Sequence, residues 1–315
     1  MKLLSISSCL LLCIFLFSCD SSSDDSSTNK PNTNNNSNTN NNTNNNENNS
    51  NNLNNNNNNT TPESYIIDHN CTDISLIPDQ WIEAAKDLTL HYAHTSHGSQ
   101  IISGLYALEE INPKYSISVN TGGNSAELPS EETPKALRIF DGNPPETYIT
   151  PDDYWASANG IERTEIVADT GLFDLSMWSW CGQQSSNTEK TVQEYIDTME
   201  NFNNSYTSMK FIFMTGHTDG GSSTLARNNT MITDYCKDNE VFCFDFANIE
   251  SYDPDGNYYP DTDDGCSWCD DWCENNPADC DVLPNSCAHS HPFNCLQKAK
   301  AFWWMMARIA GWPGP

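Results

Sequence analysis

Along residues 63–315, short apolar runs alternate with amphipathic stretches, the order expected when strands and helices take turns. Leu88-Thr-Leu-His-Tyr-Ala-His94 has the two-residue alternation of a strand, and residues 99–110 then carry apolar side chains at helical spacing. Residues 115–120 read as a second strand, closed by Thr121-Gly122-Gly123. Residues 173–181 form a continuous apolar run of the buried-strand type, followed by a polar loop and a helix over 192–201. Residues 210–215 are a strongly apolar strand that runs into Gly216-His217. A helix over 227–239, a fifth strand over 241–246 and a last helix over 296–310 complete the pattern. Phe302, Trp303, Met306 and Ile309 mark the core side of that last helix. Strands separated by helices predict a parallel sheet with right-handed crossovers, hence an α/β domain spanning 63–315.

The first 62 residues follow none of this. Lys2 precedes an apolar run over residues 10–17 that is too short to span a bilayer. The run closes in Leu16-Phe17-Ser18-Cys19, which resembles a bacterial lipobox. The resemblance implies that residues 1–19 are a lipoprotein signal peptide and that Cys19 carries lipid, holding the chain to a membrane without crossing it. A plain secretory signal and an N-terminal transmembrane helix are the competing readings. Residues 20–62 are almost entirely Asp, Ser, Thr and Asn, so they cannot bury enough apolar surface to offset their ordering entropy. They read as a disordered tether. The expected setting is the bacterial cell envelope, facing periplasm or exterior, with the chain a monomer.

Composition agrees with that setting. Asp and Glu outnumber Lys and Arg by 43 to 14, a net charge of −29, which argues against a nucleic-acid partner and against direct docking on anionic lipid. Of 13 cysteines, Cys9 and Cys13 lie in the signal and Cys19 is the lipidated position. The other ten, Cys71, Cys181, Cys236, Cys243, Cys266, Cys269, Cys273, Cys280, Cys287 and Cys295, are an even set. In an oxidising compartment such a set predicts disulfides. Six of them crowd into residues 266–295, where a disulfide-rich C-terminal loop is the first reading and a thiolate zinc cluster its rival.

In parallel α/β sheets ligands bind beyond the carboxyl ends of the strands, so the residues there are the candidates for chemistry. They are His94-Thr95-Ser96-His97-Gly98, then Gly122 and Gly123, then Cys181-Gly182-Gln183-Gln184, then Gly216-His217-Thr218-Asp219. A late loop adds Cys287-Ala-His289-Ser-His291-Pro292. A serine at a strand-to-helix turn is placed to be a nucleophile, a histidine to be its base, and glycine amides with a Gln side chain to bind an oxyanion.

This order of blocks resembles the SGNH, or GDSL-type, hydrolase superfamily in a divergent form. Thr95-Ser96 stands where that family has Asp-Ser, Gly122 or Gly123 where it has its oxyanion glycine, and Gly182-Gln183-Gln184 where it has Gly-x-Asn-Asp. His289 or His291 falls at its final Asp-x-x-His block, but the residues three before them are Ser286 and Ala288. The resemblance implies a flavodoxin-like three-layer fold with a central five-stranded parallel sheet. It also implies an ester hydrolase that needs no cofactor, with a carbohydrate ester as the substrate its setting suggests. In that reading Ser96 attacks, His289 or His291 takes the proton, and Gly122, Gly123 and Gln183 hold the oxyanion.

Three other readings stay open. His94, His97, His217 and His289 could converge on zinc or another transition metal with a catalytic water. Asp253, Asp255, Asn257, Tyr259, Asp261 and Asp264 fall on EF-hand-like ligand positions for calcium, although the glycine sits at position 4 and flanking helices are not evident. The chain could also be a surface binding protein without turnover. For it Trp155, Trp268 and Trp272 would stack on sugars or, alternatively, pin their own loops.

Overall fold

The computed structural model describes residues 65–315. The expected signal peptide, Cys19 and the tether lie outside the described residues. One parallel sheet organises the rest. Its strands are β1 (Ile66–Ile67), β2 (Thr89–His94), β3 (Ile117–Thr121), β4 (Leu137–Asp141), β5 (Leu175–Ser179), β6 (Lys210–Met214) and β7 (Cys243–Phe244), in spatial order β1-β7-β6-β5-β2-β4-β3. Strands β2 and β5 are buried along their whole length, which is why both read as apolar runs.

The sheet therefore has seven strands where periodicity predicted five. The added ones are β1, only two residues long, and β4, which follows a Pro- and Glu-rich stretch. Strand β4 enters between β2 and β3, so β3 is an edge strand rather than the neighbour of β2.

Helices α1 (Asp79–Ala85), α2 (Ser99–Ile111) and α8 (Pro292–Ile309) pack together on one face. Helices α4 (Glu189–Ser205) and α5 (Ser223–Asp238) cover the other, while α3 (Ala158–Asp169) precedes β5. Right-handed crossovers require this split, because the chain leaves β2 toward one sheet edge and leaves β5 toward the opposite one. The core is rich in aromatic residues, with Trp178, Trp180, Trp303, Tyr154 and Tyr195 all fully buried. Gly104 allows α2 and α8 to touch, since a Cβ there would collide with the Cys295 carbonyl. Among the described residues no helix is long and apolar enough to cross a membrane.

Beyond β7 lie the short helices α6 (Phe246–Ser251) and α7 (Cys269–Asn275) and a loop-rich segment. Three disulfides hold that segment, Cys266–Cys269, Cys273–Cys280 and Cys287–Cys295. They pair all six clustered cysteines, so the thiolates of a zinc cluster are not available there. The expectation that disulfides leave at most one or two of the ten cysteines unbridged is corrected. Cys71, Cys181, Cys236 and Cys243 are buried and stand outside any disulfide.

Candidate active site

The chain turns toward opposite sheet edges at β2 and β5, which are neighbours with His94 opposite Ser179. Loops leaving such a pair diverge and open a crevice, and the polar side chains gather at that point. Gly98 is required there, because a Cβ at residue 98 would collide with the His94 side chain and crowd Ser179. Helix α2 begins three residues after Ser96, and the Ser99 amide of its first turn donates to the Ser96 carbonyl, so Ser96 adjoins the positive end of the helix dipole.

Two polar pairs meet in the crevice. Ser96 Oγ lies 2.9 Å from His289 Nε2, although 193 residues separate the two in sequence. Cys181 Sγ lies 3.2 Å from His97 Nδ1, and His97 Nε2 lies 3.0 Å from Asp264 Oδ2. The pairs touch, since Ser96 Oγ is 3.8 Å from Cys181 Sγ.

Three imidazoles stack through this centre. The His97 ring lies 3.9 Å from that of His217 and 4.3 Å from that of His289, with interplanar angles of 4° and 9°. Burial disfavours the charge on His97, but the hydrogen bonds to Asp264 and Cys181 outweigh it and raise its pKa. Burial and the neighbouring His97 charge hold His217 and His289 below their ordinary value. The stack thus reads as a charged ring between two neutral ones. A neutral His289 presents the lone pair at Nε2 that a base for Ser96 needs. His289 also has a positive φ of 63°, an uncommon backbone conformation for a residue with a side chain.

A buried ion pair holds the loops behind these side chains. Lys298 Nζ of α8 reaches Glu250 Oε1 of α6 at 2.7 Å and Gln100 Oε1 of α2 at 2.5 Å, with both charged side chains fully buried. Glu250 Oε2 accepts from Thr218 N–H at 2.7 Å, fixing the His217 loop, and Gln100 Nε2 donates to the Ala288 carbonyl at 2.5 Å, fixing the His289 loop.

Comparison with family models, with curated proteins and with solved structures finds no match. The assignment therefore rests on this geometry.

Of the residues singled out in the sequence, the structure brings Ser96, His97, His217, Asp264 and His289 together. Gln183 is close by, its Oε1 accepting from Cys181 N–H at 2.8 Å. Gly122 and Gly123 are not beside Ser96. They follow the edge strand β3, two strand spacings or about 10 Å from β2, and the Gly122 amide donates to the Asp141 carbonyl. His291 caps α8, accepting from Phe293 N–H at Nδ1, while its Nε2 faces Asp270 at 3.2 Å. His94 turns away from the stack. Its Nδ1 donates to the Thr95 carbonyl, and its Nε2 is 3.0 Å from Asp141 Oδ1 but off the line of a hydrogen bond.

For a metal, the donors of His97, Asp264 and His289 lie within 4.8 Å of one another. Because the two rings are stacked, their lone pairs lie in nearly parallel, separate planes, so one ring must turn before both can bind a common ion. The calcium set is not gathered. Asp253 accepts from the backbone N–H groups of Asp255 and Asn257, from Asn257 Nδ2 and from the Tyr259 hydroxyl, while Asp264 faces His97. Asp261 instead lies against Gly221. The loop tryptophans pin structure. Trp155 packs edge-on to Trp178 and Trp180, Trp268 stacks on Tyr259, and Trp272 stacks on Phe293.

The sequence placed Cys181 among the strand-end candidates but counted it with the disulfide cysteines, and it put Asp264 in the calcium pattern instead of beside His97. The usable signal for Cys181 was its position at the carboxyl end of an apolar strand, the same signal that marked Ser96.

Proposed function

We propose that the chain is a serine-dependent acyl hydrolase acting on an ester. The observation that carries this reading is the 2.9 Å approach of Ser96 Oγ to His289 Nε2. In the first step Ser96 attacks the ester carbonyl carbon and His289 Nε2 takes the hydroxyl proton. That proton then goes to the leaving alcohol, and a water activated by His289 releases the acid. General-base help of this kind is worth about 10²–10⁴ in rate. The amide group of Gln183, anchored through its Oε1, leaves its N–H donors for the developing oxyanion, and the first turn of α2 adds its dipole. Asp264 supplies the negative charge nearest the histidine stack. A carbohydrate ester suits a chain held by a lipidated Cys19 at the bacterial cell surface, and Cys19→Ser should release the protein into the soluble fraction.

The test is hydrolysis of simple aryl and acetyl esters by Ser96→Ala. Loss of turnover by orders of magnitude, with unchanged circular dichroism, supports the serine reading. Full activity of that variant together with loss on chelation would transfer the chemistry to a His97–Asp264–His289 metal centre.

A further inference from the structure

We propose that Cys181 is a second nucleophile of the same crevice, with His97 as its base and Asp264 as the residue that orients His97. Its product would be a thioester formed from an activated acyl donor. The three side chains come from separate parts of the fold, namely the end of β5, the turn before α2 and the loop before α7. They are 84 and 167 residues apart in sequence, yet align at 3.2 Å and 3.0 Å. A nucleophile bonded to a base that is itself held by a third group is the arrangement that activates a thiol. The stack of His217 and His289 clamps the His97 ring, so its Nδ1 stays on the sulfur.

Other cysteines of this chain are shifted the opposite way. Burial, with the Asp68 charge, raises Cys71 to about 12, and burial, with the neighbouring Cys236, pushes Cys243 well up. Burial acts on Cys181 in the same direction, but the His97 hydrogen bond and charge outweigh it and lower the thiol instead. The thiolate favoured in this way is the nucleophilic species.

The step balances within the crevice. The Cys181 proton already sits on His97 Nδ1, which makes His97 the charged ring of the stack, and the thiolate sulfur attacks the carbonyl carbon of an aryl ester. The bond from that carbon to the aryloxide breaks, and the aryloxide takes the proton back from His97. An acyl carbon drawn up to Ser96 Oγ comes within reach of a sulfur only 3.8 Å from that oxygen. Cys181 is only 2 % exposed, so small acyl groups are the expected donors. The Ser96 hydroxyl, with His289 as base, would then take the acyl group from the sulfur, so the thioester accumulates where Ser96 is absent.

The experiment uses purified Ser96→Ala protein and p-nitrophenyl acetate. The expected result is a burst of about one equivalent of nitrophenolate per chain. Peptide mapping should place the acetyl group on Cys181, and neutral hydroxylamine should remove it. Adding His97→Asn should slow the burst by more than tenfold, and adding Cys181→Ser should remove the hydroxylamine-labile adduct. Absence of that adduct from folded Ser96→Ala protein, or an unchanged burst rate in the His97→Asn background, overturns the proposal. The serine reading fails by a different sign, wild-type turnover in Ser96→Ala, so the two outcomes are distinguishable.

Discussion

His289 reaches Ser96 from a disulfide-closed loop, Nε2 to Oγ at 2.9 Å, with its own backbone held at a φ of 63°. His291, two residues on, is spent on capping α8 and facing Asp270. The two histidines are therefore separable by mutation. His289→Ala should lower kcat by about 10²–10⁴, the usual worth of a general base. His291→Ala should leave kcat unchanged and cost about 1 kcal/mol of stability through the lost cap. Steady-state kinetics beside thermal unfolding would check both, and equal kinetic losses would contradict the assignment.

The pH profile follows from the same stack. Burial and the His97 charge lower the pKa of His289. A base works only when deprotonated, so activity should persist as pH falls past about 6.5, the ordinary value for histidine, and be lost only below it. His97→Asn removes the neighbouring charge, and the acid limb of kcat/KM should then move upward. An acid limb that stays in place would show that His97 does not carry the charge.

Much of this was legible because buried strands and amphipathic helices leave local periodicities. Strands β2, β3, β5, β6 and β7 were expected near their observed positions, as were α2, α4, α5 and α8. Strand β4 was not, because its five residues follow a run rich in Pro and Glu that masks them, and β1 is too short to show a period. Helix α3 carries few apolar residues and a glycine in its first turn. Ser96 and His289 could be placed because strand ends and late histidines are positional signals. Cys181 carried the same strand-end signal, but the even cysteine count of an exported chain pointed it toward a disulfide and away from chemistry. Asp264 was drawn into a calcium pattern by the regular spacing of its acidic neighbours. Its partner, His97, is 167 residues away, and contacts of that range leave no local trace.

The Lys298–Glu250 pair lies wholly out of water and ties α8 to the loops carrying His217 and His289. Lys298→Met alone leaves a buried carboxylate without its cation and should destabilise by about 3–5 kcal/mol. Combining it with Glu250→Gln removes the charge while keeping an acceptor for Thr218 N–H, and should recover part of that loss. Denaturant unfolding of the wild type and the two variants tests this, and a double variant no better than the single would contradict it.

The Cys287–Cys295 bridge closes the loop that bears His289. Replacing both cysteines by serine should cost about 2–4 kcal/mol. It should also lower kcat/KM at temperatures where the protein remains folded. The same change at Cys273 and Cys280, which bridge a segment that carries none of the site's side chains, should lower stability with a smaller effect on kcat/KM. Equal effects on activity would show that the loop does not depend on its bridge.

The most direct measurement is the site of covalent capture by a fluorophosphonate. Ser96 Oγ should displace fluoride from phosphorus, His289 taking the hydroxyl proton, to leave one stable adduct. Peptide mapping should locate that adduct on Ser96, and His289→Ala should slow its formation by at least two orders of magnitude. An adduct on another residue, or none on folded protein that still hydrolyses esters, would contradict Ser96 as the nucleophile.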